Sequence, residues 1–135
     1  MAEAQKKSLL QFLADRKLDE ETHELKLAGF PMPIIISPLT SKEYNEIEEA
    51  SVSVSKKGQA SLRTERLTEL ILTTAVVEPK FSDVAWLKQI GAHTAGDAIS
   101  KVFKAGEVAR IRQKIMEVSG LLEDMDELVD EVKND

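Results

Sequence analysis

The sequence has no cysteine, few aromatic residues and no long apolar run. Without cysteine the chain has no disulfides, thiolate metal sites or cysteine nucleophiles, and it fits a reducing compartment. Aromatic residues make up only 4% of the 135 residues, so the core must rest on Leu, Ile, Val and Ala. No apolar stretch approaches the roughly 18 residues of a membrane span, and the N-terminus does not resemble a signal peptide. We therefore expect a soluble, intracellular protein that does not bind a membrane.

The net charge of −6 is concentrated at one end of the chain. Residues 121–135 contain seven acidic residues and one lysine, whereas the preceding 120 residues contain 17 acidic and 17 basic residues. The sequence therefore predicts no basic face that would neutralise phosphates, and the acidic end would repel nucleic acid. Nucleic acid is excluded as an expected partner.

Hydrophobic periodicity predicts a mainly α fold of five or six helices with one short β-hairpin near the N-terminus. A short helix is expected over about 8–16, and the hairpin at about 24–36, around a Gly-Phe-Pro-Met turn. Thr40 and Glu43 form a capping-box signature for a helix that runs to about Val54. Another helix is expected over 60–77, where Pro79 ends it.

Two more short helices are predicted in the following segment. Ser82 is the expected N-cap of the first, in which Val84, Ala85, Leu87 and Ile90 are candidates for burial alongside Trp86, and Gly91 ends it. Thr94 or Gly96 begins the second, which carries Ile99, Val102 and Phe103. We expect residues 1–120 to form a single helical domain and residues 121–135 to form an acidic amphipathic C-terminal segment.

The last third of the chain has a heptad pattern. Its apolar residues are spaced 3-4-3-4-3-4-3, namely Val108, Ile111, Ile115, Val118, Leu122, Met125, Val129 and Val132. Either one long helix crosses Gly120, at a cost of roughly 1 kcal/mol relative to alanine, or Ser119 and Gly120 end a helix and a separate segment follows. The pattern favours the break.

The apolar stripe of the C-terminal segment has two interpretations. Its side chains pack back onto the domain as a last helix, or they form an amphipathic element for a partner. The pattern alone slightly favours packing. The residues concerned are Leu121, Leu122, Met125, Leu128, Val129 and Val132.

The residues that usually carry catalysis or bind metals do not form a recognisable set. His23 and His93 are far apart in sequence, and neither has metal-ligand spacing, so His93 is better explained as a turn or helix-end residue. Neighbouring carboxylates such as Glu48 and Glu49 fall on polar helix faces, where solvation explains them. Glycines 91, 96 and 106 do not form a phosphate-binding loop. We predict no catalytic, cofactor-binding or metal-binding residues and no enzymatic activity.

Several segments together resemble the XkdN-like group of phage tail assembly chaperones, from phages and prophages of Gram-positive bacteria. Residues 39–47 resemble the group's L-T/S-x-x-E-x-x-E-I helix start, and residues 70–79 its helix that ends in a valine-rich step before proline. Residues 81–91 resemble its L-x-D-x-x-L-x-x-x-x-G segment, and residues 105–108 its G-E-Y turn, although valine replaces the aromatic residue. The resemblance spans roughly residues 35–135.

The resemblance implies a non-enzymatic role. Such proteins bind the long tape measure protein, keep its apolar helices from aggregating and help recruit tail tube subunits. They act in the cytoplasm of the bacterial host and are absent from the mature virion. Because the resemblance implies a client, we expect the C-terminal segment to bind a partner. The alternative function is that of a helical regulatory or adaptor protein that binds one folded partner.

Overall fold

The computed structural model describes the backbone of residues 2–122 and the side chains of residues 8–122. In this part of the chain a three-residue 3-10 turn, Leu18–Glu20, follows the first helix. The six α-helices are α1 (Ala2–Asp15), α2 (Ser41–Ala50), α3 (Thr64–Ala75), α4 (Val84–Ile90), α5 (Ala95–Val102) and α6 (Ala105–Val118). The five strands are β1 (His23–Leu25), β2 (Ile34–Ile36), β3 (Val52–Val54), β4 (Ala60–Leu62) and β5 (Val76–Glu78).

The predicted N-terminal hairpin is confirmed, but it belongs to a larger sheet. Strands β1 and β2 pair antiparallel with His23 opposite Ile36, and β5 adds to the other edge of β2 in the order β1-β2-β5. Strand β5 was expected to be the end of a helix. Its two β-branched valines precede Pro79, which prevents the helix from continuing, and β2 offers an unpaired edge that satisfies the extended backbone.

A second hairpin lies between α2 and α3, where only helix and loop were expected. The capping box of α2 is confirmed, with the Glu43 N–H donating to Thr40 Oγ1 (3.1 Å) and the Thr40 N–H donating to Glu43 Oε1 (2.9 Å). The helix ends at Ala50, however, because Val52 and Val54 alternate with serines and favour a strand. Gly58, with φ +81°, makes the turn to β4.

These strands correct the predicted fold class. The prediction of five or six helices agrees with the six helices found between residues 2 and 122. The prediction of one hairpin near the N-terminus is wrong in number, since five short strands form two sheets. The architecture is mixed α/β. The other three strands escaped prediction because a three-residue segment contains too little alternation to distinguish it from a helix end.

Helices α4 and α5 have the predicted ends with one shift. Asp83 rather than Ser82 caps α4, through its Oδ1 and the Trp86 N–H (2.9 Å), and Gly91 ends the helix at φ +70°. Thr94, one of the two residues predicted to begin α5, is its N-cap. The prediction that Val84 and Ala85 are buried is wrong, because the seven-residue α4 turns only one face inward. That face carries the half-buried Trp86, Leu87 and Ile90.

The core lies between α3, α6 and the three-stranded sheet. Ile36, Ile71, Leu72, Ile111 and Ile115 are completely buried. Aliphatic side chains dominate, as the composition predicted, and four of the six aromatic rings form one cluster at its edge. In this cluster Phe81 contacts Phe103 and Trp86, and Phe103 stacks on Phe30.

Helix α6 ends at Val118, so the predicted break at Ser119 and Gly120 is confirmed. Gly120 has φ +79°, a left-handed conformation that glycine adopts without steric cost. Ser119 Oγ accepts a hydrogen bond from the Leu39 N–H (2.9 Å), which fixes the end of the helix against the start of α2. Helical backbone begins again at Leu121 and Leu122.

Candidate interaction surfaces

Helix α1 exposes a cluster of large apolar side chains. Every residue from Ser8 to Lys17 is exposed. Leu9, Leu10, Phe12 and Leu13 are between 51% and 69% exposed. Residues 9, 12 and 13 have the i, i+3, i+4 spacing of one helical face, so these side chains form a contiguous surface. An exposed apolar patch of this kind is typical of a contact site.

The attachment of α1 to the domain lies at its C-terminal end. The Gln11 amide donates to both carboxylate oxygens of Asp15 (3.0 Å each), which stabilises the last turn. Beyond the helix, Ser37 Oγ donates to the Leu18 carbonyl (3.1 Å) and fixes the chain beside β2. An isolated helix of about 14 residues is marginal in water, so α1 gains stability from any partner that covers its apolar face.

Helix α1 was predicted, but its role as an exposed surface was missed. The same 3-4 spacing of apolar residues occurs in α1 and in the C-terminal third of the chain. In the C-terminal third this spacing coincides with the acidic charge, which makes that segment the more distinctive of the two in sequence.

The hairpin of β3 and β4 exposes a second, smaller apolar group. Val52 pairs with Leu62 across the two strands, and these side chains are 46% and 51% exposed. Val54, at the end of β3, is 67% exposed. These exposed side chains give the hairpin apolar surface that is available for a partner. Since a two-stranded sheet is marginally stable alone, such a contact would also stabilise it.

The predicted partner-binding residues fall partly within the described structure. Leu121 and Leu122 are half-buried. Leu122 faces a groove on α6 whose other lining residues include Val108 and Met116. The remaining predicted residues lie outside the described residues, namely Met125, Leu128, Val129 and Val132.

The two histidines lie in unrelated local environments. His23 Nε2 is 2.8 Å from Glu21 Oε2 at the exposed start of β1. His93 precedes the cap of α5, where its backbone N–H donates to Asp97 Oδ2 (3.2 Å), as expected for a helix-end residue. Among residues 8–122, no three or more His, Asp or Glu side chains are grouped as a metal site would require. No described helix has the length and apolarity needed to cross a membrane.

Comparison with known proteins identifies the family. The model of the phage XkdN-like tail assembly chaperone proteins matches residues 9–133. The crystal structure of the protein YqbN has a similar fold, with a TM-score of 0.62 and 19% sequence identity over 81% of this chain and 93% of that one. No curated protein sequence matches significantly. Because the family model covers nearly the whole sequence, the chain belongs to the XkdN-like phage tail assembly chaperones.

Proposed function

We propose that this chaperone binds the tape measure protein of its phage, keeps that protein soluble and helps recruit tail tube subunits to it. Membership of the family supports a role in tail assembly. The observation that carries the choice of client is the apolar face of α1. Helical client segments with apolar stripes are natural partners for an exposed amphipathic helix.

The size of the α1 face suits a reversible contact. Leu9, Leu10, Phe12 and Leu13 retain half or more of their surface in water. Complete burial of one such side chain contributes roughly 1.5–3 kcal/mol, and the entropy lost on association offsets much of the total. A contact of this strength shields client helices during assembly and still releases them. From its family we further infer that the chaperone acts in the host cytoplasm and is absent from the mature virion.

A second contact with the client is proposed for the C-terminal segment. Its apolar residues follow a helical spacing, and its seven acidic residues would keep chaperone–client complexes dispersed by like-charge repulsion. We assign the role to the residues selected from the sequence, Leu121, Leu122, Met125, Leu128, Val129 and Val132. The function is one of binding, and no catalytic step is assigned to any residue.

Co-expression with the tape measure protein tests the proposal. The double variant Leu9→Ser and Phe12→Ser removes apolar surface from α1, whereas Val84→Ser and Val102→Ser remove exposed apolar surface elsewhere. The wild-type chain and the control variant should raise the soluble fraction of the client and co-purify with it. The α1 variant should do neither, although it remains folded.

Two results would contradict the proposal. If the wild-type chain leaves the solubility of a well-expressed client unchanged and does not co-purify with it, the tape measure protein is not the client. If the α1 variant and the control variant act equally, α1 is not the contact surface. Stable capture of one folded protein at fixed stoichiometry would instead favour an adaptor.

A further inference from the structure

The hairpin of β3 and β4 turns its apolar face toward solvent. Residues directly opposite each other in an antiparallel pair lie on the same face, so the register of these strands groups four aliphatic side chains. All four are exposed, namely Val52, Val54, Ala60 and Leu62. On the other face Ser53 is half-buried, and Ser51, which directly precedes β3, is completely buried. An antiparallel sheet ordinarily packs its apolar face on the core and exposes its polar face to water, so this hairpin has the reverse arrangement.

The same aliphatic residues direct backbone hydrogen-bonding groups to the outer edges of the hairpin. At its base the Arg63 N–H donates to the Ser51 carbonyl (2.8 Å). Bonded and non-bonded pairs alternate along an antiparallel ladder, so the N–H and C=O groups of Val52 and Leu62 point away from the partner strand. In the part of the chain that the structure describes, no third strand joins this sheet. Each edge can therefore accept an extended segment as an added strand.

The hairpin carries charge of one sign only. Residues 51–63 contain three basic residues and no acidic residue, although the whole chain has a net charge of −6. The basic residues are Lys56, Lys57 and Arg63. The nearest acidic residues along the chain are Glu49 and Glu65, which belong to the helices on either side. Two such hairpins would repel each other, whereas an acidic segment would be attracted, so the charge favours an acidic partner over a second copy.

We propose that the β3–β4 hairpin binds an extended segment of another protein in which apolar and acidic residues alternate. The segment pairs as a third strand with an outer edge of the hairpin. Its apolar side chains lie beside the aliphatic face, and its carboxylates interact with the three basic residues. The added strand stabilises a two-stranded sheet that is only marginally stable alone. This contact goes beyond the proposed function, because it does not involve α1 and does not depend on which protein is the client.

Three short synthetic peptides test the contact on the full-length chain at neutral pH. Glutamate and valine alternate in the first, lysine replaces glutamate in the second, and serine replaces valine in the third. The amide signals of residues 52–62 should shift on titration with the first peptide and should move much less with the other two. Salt should weaken the binding, because the Debye length falls from about 10 Å at 0.1 M to about 3 Å at 1 M.

A charge reversal and a matched control locate the electrostatic part of the contact. Lys56→Glu with Lys57→Glu reverses the charge of the turn, whereas Lys80→Glu with Lys88→Glu makes the same change of net charge at exposed positions elsewhere. The turn variant should bind the glutamate–valine peptide about tenfold more weakly, since two attractions become two repulsions, and the control should stay within about twofold of the wild type.

A second pair of variants locates the apolar part. Val54 and Val84 are equally exposed, at 67% and 66%. Threonine keeps the β-branched shape that favours strands, so Val54→Thr should retain the amide–amide contact between Ser53 and Ser61 in the hairpin. Val54→Thr should nevertheless weaken peptide binding by roughly threefold, because the apolar face loses a methyl group. Val84→Thr should bind as the wild type does.

Four results would overturn the proposal. An absence of shifts at residues 52–62 with the glutamate–valine peptide would mean that the hairpin does not accept such a strand. Equal binding of the lysine-containing peptide would remove the role of charge. Shifts at these residues that depend on the concentration of the chain alone would assign the face to a second copy. Shifts caused by phosphatidylglycerol vesicles and not by the peptide would assign it to an anionic lipid surface.

Discussion

Helices α1 and α6 have the same spacing of apolar residues, but these residues are exposed in α1 and buried in α6. In α1, Leu9, Phe12 and Leu13 repeat at helical spacing and are at least half exposed, whereas in α6 Ile111 and Ile115 repeat at the same spacing and are completely buried. The difference lies in what surrounds them. Helix α6 is held against α3 and β1, while α1 is joined to the domain through the short segment that leads to Leu18. An amphipathic pattern therefore identifies an apolar face but not the surface that covers it.

The largest expected effect is a contrast between one core residue and one surface residue. Ile111→Ala should lower the free energy of unfolding by about 2–5 kcal/mol, because it leaves a cavity among completely buried side chains. Leu10→Ala in α1 should change it by no more than about 0.5 kcal/mol, because Leu10 is already exposed to water. Denaturant unfolding followed by the fluorescence of Trp86, the single tryptophan, measures both values. Equal losses would mean that α1 is covered in solution.

The second prediction concerns the C-terminal segment. A chain that ends at Gly120 should lose roughly 1–3 kcal/mol of stability, since removal of Leu122 uncovers Val108 and Met116. The same truncation should weaken capture of the client. Thermal melts and client pull-downs of the two lengths provide the measurement. An unchanged melting temperature would mean that the segment contributes nothing to the packing of the domain and serves only a partner.

The sequence was most informative where a boundary depends on a few local atoms. The capping box of α2, the cap at Thr94 and the left-handed ends at Gly91 and Gly120 follow from hydrogen bonds and steric limits within four residues. These positions were correctly predicted for that reason. The break at Gly120 was preferred over a continuous helix on the same grounds.

Strand β5 was missed because it pairs with β2, which is distant in sequence, whereas β3 and β4 pair with each other and were missed because three residues contain too little alternation. The backbone of Val76 is extended rather than helical because it pairs with β2, which lies some 40 residues earlier in the chain. The exposed surface on α1 was missed for a related reason. Whether Leu9 is buried depends on the rest of the domain, about which a local pattern contains no information. The assignment of partner binding to residues 121–132 remains a prediction.

A third prediction separates stability from binding at the N-terminus. Deletion of residues 1–17 removes α1 but retains the hydrogen bond from Ser37 Oγ to the Leu18 carbonyl. The free energy of unfolding should change by no more than about 0.5 kcal/mol, because residues 8–17 are exposed and such residues contribute little to it. Co-purification with the tape measure protein should be lost. A large drop in stability would show that the domain requires α1, and retained client binding would shift the contact to another surface.

The smallest expected effect concerns the residues best suited to proton transfer. His23→Gln and His93→Gln, alone or together, should leave both stability and client solubilisation unchanged. His23 contacts Glu21 in an exposed pair, and such pairs contribute at most about 1 kcal/mol. The hydrogen bond of His93 that helps to start α5 comes from its backbone N–H, which glutamine retains. The double variant should therefore match the wild-type chain in thermal melts and in the soluble fraction of the client. A loss of client solubility at an unchanged melting temperature would mean that a histidine takes part in function, and that apolar surfaces at the two ends of the chain do not account for the activity by themselves.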